Sequence, residues 1–97
     1  MAERDIKTEH RLLTILQLLK DDPDYKIDFH LLQESLKMVG RGVSGAVLLS
    51  DLTLLEEMKL VSTTNIAGCT IAVLRNRGVD VADGVAVVPG IARPRPE

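Results

Sequence analysis

The apolar pattern of this chain changes period near residue 60, and that change limits what the chain can fold into. Before it, apolar residues recur at helical spacing. Phe29, Leu32, Leu36 and Val39 follow Asp28 in steps of three, four and three, which places them on one helical face. Leu48, Leu52, Leu55 and Lys59 form a second stripe, with Met58 beside it. After it, the runs Leu60 to Ile66 and Thr70 to Leu74 are rich in β-branched residues and flank Ala67-Gly68, the pattern of a hairpin.

Punctuation divides the helical part. Asp28 is expected to cap one helix, through its side chain and its charge. Gly40 is expected to end that helix in a left-handed conformation. Gly42 offers a second permissive point, and Ser44 an N-cap for the next helix. Two helices joined by so short a glycine-containing turn can cross steeply as a helix-turn-helix. The plainer alternative is a helical hairpin in a small bundle.

Upstream, residues 1–7 are charged and expected to fray. Leu12, Ile15, Leu16 and Leu19, widened by Leu13 and Leu18, mark a first helix over about residues 5–20. Pro23 stops it. Tyr25-Lys26-Ile27 reads as short and extended, a strand beside the hairpin. Asp21, Asp22 and Asp24 read as a solvated acidic loop, since a calcium loop needs a glycine and a distal glutamate in register. Downstream, Asn76 is expected to cap a helix over 77–83, with Val79 and Ala82 inward and Gly84 at its end. Val85 to Val88 is then extended, and Pro89-Gly90 turns. The proline-rich end, 91–97, favours polyproline II geometry. The expected fold is α+β, a winged helix-turn-helix. It has three helices, a β-hairpin wing, a short C-terminal helix and an extended tail, with the domain at 1–90 and the tail at 91–97.

Composition sets bounds. A chain of 97 residues suits one domain, and 45% apolar content suits one core. The net charge of −2 does not mark a polyanion binder in bulk. Cys69 stands alone, so no internal disulfide forms and a reducing cytoplasm is expected. No apolar run reaches the length of a membrane span. His10, His30 and Cys69 do not form a zinc spacing, and Gly40-Arg41-Gly42 lacks the residues of a P-loop. No catalytic residue, metal or cofactor is therefore expected.

Several stretches resemble a family of small proteins encoded in Mu-like phages and prophages. They are Asp21-Asp22-Pro23-Asp24-Tyr25, Gly42-Val43-Ser44, Asp51-Leu52 with Leu55-Glu56-Glu57, and Leu60-Val61. The more specific ones are the run Arg77 to Gly84, Val88-Pro89-Gly90-Ile91 and Arg93-Pro94. The resemblance covers nearly the whole chain. It implies a winged-helix fold, a phage origin and a regulator-like label. No functional residue is carried over from it.

Two functions follow from the residues. In the first, the chain is a homodimer that binds double-stranded DNA and regulates transcription. Helix 44–58 then presents Ser44, Ala46, Ser50 and Thr53 to the major groove, and Lys37, Arg41, Arg75 and Arg77 contact phosphates. That helix lacks the Arg, Lys, Asn or Gln that usually read bases, and Asp51, Glu56 and Glu57 are expected to repel phosphates. In the second, the same fold serves as a protein-interaction or assembly module. Leu49, Val87, Arg93 and Pro94 are then the partner-binding positions.

Overall fold

The computed structural model describes residues 5–94. Its elements run α1 (Ile6–Asp21), β1 (Lys26–Asp28), α2 (Phe29–Met38), α3 (Gly45–Glu57), β2 (Val61–Ile66), β3 (Cys69–Leu74) and α4 (Asn76–Ala82). The fold is α+β, with four helices and a three-stranded antiparallel sheet in the order β1-β3-β2.

Helix α1 starts where Asp5 accepts the Thr8 amide, so Ile6 and Lys7 are helical rather than frayed. It buries Leu12, Ile15, Leu16 and Leu19. It ends at Asp22, which is extended ahead of Pro23, as the ring demands. The acidic loop then closes on itself. The Asp22 carboxylate accepts the amides of Asp24 at 2.9 Å and Lys26 at 3.4 Å. Tyr25 is left-handed, with φ 57°, rather than extended, and the strand begins one residue later.

Helices α2 and α3 are joined by a turn with a defined hydrogen-bond pattern. Gly40 has φ +79°. Its amide donates to the Lys37 carbonyl, and the Arg41 amide donates back to Leu36 at 2.8 Å. That pair of bonds is a Schellman cap. Gly42 serves differently from the sequence expectation. Its φ is not positive, but a Cβ there would lie 2.8 Å from Lys37 Cγ, so the turn needs its small size. Gln33 Nε2 donates to the Val43 carbonyl and ties the turn to α2. Ser44 caps α3 by accepting the Val47 amide.

The hairpin closes on Ala67 and Gly68, both with positive φ (51° and 80°), the two-residue turn that matches strand twist. Ile27 and Thr63 both pair with Ala72, and Val61 pairs with Leu74, so these rows face the helices. The core gathers the α1 leucines with Leu32, Leu36, Leu48, Leu52, Leu55, Leu60, Val61, Ala72 and Leu74. Each fully buried leucine contributes about 1.5–3 kcal/mol.

Further expectations change. Val39 is half exposed and lies past the end of α2, so the apolar face of that helix is Leu32 and Leu36 with a partly buried Phe29. Asn76 lies inside α4; Arg75 holds the cap position, without a side-chain bond. Val81 joins Ala82 in the buried face of α4, and Val79 packs at its margin. Residues 85–88 form no strand: Val85 and Val87 are exposed, while Ala86 and Val88 pack on the core. The chain does not leave the domain at residue 91. Ile91 is buried, and the Ala92 amide donates to the Glu9 carbonyl of α1 at 3.2 Å. A radius of gyration of 12.6 Å is that of one packed body.

Candidate functional site

The outward side of α3 follows from its inward side. Leu48, Leu52 and Leu55 fix the buried stripe, and the period of the helix then sends Ala46, Leu49, Ser50, Thr53 and Glu57 to solvent. Together with Leu54 they line one shallow depression. Among the described residues no lysine or arginine lines it. The Thr53 hydroxyl is occupied locally, donating to the Leu49 carbonyl at 2.9 Å. Leu49 is half exposed.

Asp51 does not share this face. It is buried, 5% exposed, and turned toward α1. Its carboxylate takes both arms of a guanidinium, Arg11 Nε at 2.5 Å and Nη2 at 3.1 Å. This contact pushes the Arg11 pKa above its usual value. Asp51 is therefore a structural anchor between α1 and α3, not a phosphate-repelling surface charge. Glu56 is likewise engaged, accepting the Thr63 amide at 3.0 Å and its hydroxyl.

Leu54 connects the depression to a second surface. It also lines an apolar groove with Leu12, Val87, Val88, Pro89 and Ile91. Apolar ground thus runs from Leu49 across Leu54 to Val87, and the last of these is 59% exposed.

The basic residues expected to contact phosphate lie apart from the depression. Lys37 is exposed in the last turn of α2 and pairs with Glu34 at 3.3 Å. Arg75 and Arg77 are exposed where the hairpin meets α4, and neither forms an ion pair among the described residues. Arg41 is half-buried and turns toward α1. There it shares a cleft with Arg93 and Pro94, and with Lys7, His10, Thr14 and Gln17, none of which the residue pattern marks as a binding position. Their one signal in the sequence is a polar stripe on α1, which looks like any solvated helix face. Arg95 lies outside the described residues. Among the described residues no three His, Cys, Asp or Glu side chains gather to hold a metal, and no helix is long and apolar enough to cross a membrane.

Fold and surface together define a small α+β protein with a helix-led apolar face and separate basic margins. Comparison with known proteins gives its kinship. The chain is 40% identical over 92 residues to the uncharacterized protein gp26 of Escherichia phage Mu, covering 95% of each. It therefore belongs to this family of small phage proteins. No family model and no solved structure matches it.

Proposed function

We propose that the chain is a winged helix-turn-helix protein that works as an assembly module, pairing with a second copy of itself through the surface from Leu49 to Val87. The order helix, strand, helix, helix, hairpin supports the winged reading, as does β1 lying beside β3. One observation carries the functional reading. The face of α3 that would enter a DNA groove is lined by two leucines, an alanine, two hydroxyls and a glutamate, with no cation among the described residues. Base reading needs donors and phosphate contact needs positive charge, and this face supplies neither in quantity. An apolar patch rimmed by polar groups suits a protein chain, and symmetric pairing is the commonest protein assembly.

A second reading, duplex DNA binding with a regulatory role, draws on Arg75 and Arg77. They are exposed and without ion pairs among the described residues, beside the exposed Asn76. Sedimentation equilibrium and a DNA salt titration separate the two. The assembly reading expects a dimer at micromolar concentration that Leu54→Asp converts to monomer. It also expects no duplex binding at low salt. A wild-type monomer that binds mixed-sequence duplex, with a salt slope reduced in an Arg75→Ala/Arg77→Ala variant, would replace it with the DNA reading.

A further inference from the structure

The polar side of α1 opens on a cleft that neither reading above uses. Lys7, His10, Thr14 and Gln17 follow one another in steps of three, four and three, so they share one helical face. The cleft they line, about 510 Å3, is flanked by Arg41 from the α2–α3 turn and by Arg93 from the C-terminal segment. Three segments far apart in sequence thus bring two guanidinium groups, an ammonium group and an imidazole to one depression. Among the described residues no carboxylate lines it.

Convergence sets this place apart, since Arg75 and Arg77 are also without an ion pair among the described residues. Elsewhere Arg11, Lys20 and Lys37 each pair with an acid. Lys7, Arg41 and Arg93 form no ion pair among the described residues. Two of the three cations also stand on anchored backbone. The Arg41 amide is held by Leu36, and Arg93 follows Ala92, whose amide is held by Glu9. Like charges gathered on fixed backbone repel one another, and an anion between them relieves that repulsion. Asp5 and Glu9 line the neighbouring apolar groove, on the other side of Arg93. The Asp5 carboxylate there takes the Thr8 hydroxyl and amide.

We infer that this cleft binds a phosphate-bearing anion, its oxygens met by the guanidinium forks of Arg41 and Arg93 and by the Lys7 ammonium. His10 supplies a further donor, while the Thr14 hydroxyl is engaged with the His10 carbonyl at 2.9 Å. Guanidinium groups match phosphate oxygens two at a time, which a scatter of lysines does not. The volume suits a small polyphosphate or a short stretch of phosphodiester backbone.

The test is an NMR titration of the isotope-labelled full chain with sodium tripolyphosphate at constant ionic strength. Saturable shifts are expected at the amides of Lys7, His10, Arg41 and Arg93. Arg41→Ala and the more exposed Arg93→Ala should each weaken binding by about tenfold, the loss of one charge-assisted contact. Arg75→Ala/Arg77→Ala should leave it unchanged. No saturable shift at about 10 mM ligand, or equal affinity in all variants, overturns the inference. A mixed-sequence duplex forms the second arm. If it moves the same amides and tripolyphosphate displaces it, the anion is a backbone phosphate. If it leaves them unmoved while tripolyphosphate binds, the anion is a small polyphosphate.

Discussion

Asp51 shows how one residue can change the meaning of a surface. It follows the exposed Ser50, yet it falls three residues after Leu48 and four before Leu55 and so turns inward with them. Its partner is Arg11, forty positions away. Removing one member of a buried ion pair leaves the other charge uncompensated. Asp51→Ala should therefore cost about 3 kcal/mol in urea unfolding, while the double change Arg11→Met/Asp51→Leu should be close to neutral. Equal losses in both variants would show that packing rather than charge carries the contact. Arg11 has a folded-state pKa raised by the hydrogen bonds it donates to Asp51. A raised value means stability present below the unfolded pKa, so this guanidinium stays charged at every working pH. Asp5 is the opposite case. The Thr8 hydroxyl, then the Thr8 amide, hold its pKa below the usual 3.8. Its cap is therefore fully present above that value and is lost as pH falls through the lower folded-state value. The Thr8 amide resonance should lose its capped position only below about pH 4. A midpoint above that would contradict the hydrogen-bonded cap.

At the scale of elements, helix ends organise the molecule. Three of the four helices close with the same pair of bonds, carried at Gly40, Lys59 and Gly84. The glycine caps are legible in the sequence, because glycine after an apolar stripe marks a left-handed stop. Lys59 is not. Read by periodicity it continues the α3 stripe, whereas in the fold it sits outside the helix at φ 64° and turns the chain into β2. Non-glycine residues rarely take that conformation, so nothing local announces it. Gly78 is a different kind of glycine. A Cβ there would lie 2.3 Å from the Leu60 carbonyl oxygen and 2.6 Å from Leu74 Cδ1, so α4 rests directly on the base of the hairpin. Gly78→Ala should destabilise by about 2–3 kcal/mol in thermal unfolding, although alanine ordinarily favours helices. A neutral result would mean that α4 can lift off the sheet. The order of the elements and the buried stripes were thus readable, because periodicity is local. The basic cleft was not, since Lys7, Arg41 and Arg93 meet only through the fold.

At the scale of the whole molecule, the C-terminal segment is part of the body. Prolines at 94 and 96 suggest a loose tail from residue 91, and composition gives no warning otherwise. Ile91 is nevertheless buried, at 5% exposure, and Pro94 lies beside Gly84. Truncation after Gly90 should therefore cost about 2–4 kcal/mol, as large losses from a core do. Arg93→Ala, at an exposed position of the same segment, should stay within about 0.5 kcal/mol in the same unfolding measurement. Equal stability of the two would return the whole segment to the surface.

The hydrogen bond from Ala92 to Glu9 has a topological consequence. It seats the last described stretch beside the first turns of α1, so the path of the chain is nearly a closed ring. A ring can be opened elsewhere. A short linker from Pro94 to Asp5, with new ends cut between Ala67 and Gly68, would leave the core contacts of the described residues in place. The same closeness puts both ends of the described stretch at one pole, beside the cleft that holds Arg93, while the exposed hairpin tip at Ala67 and Gly68 is open to a label.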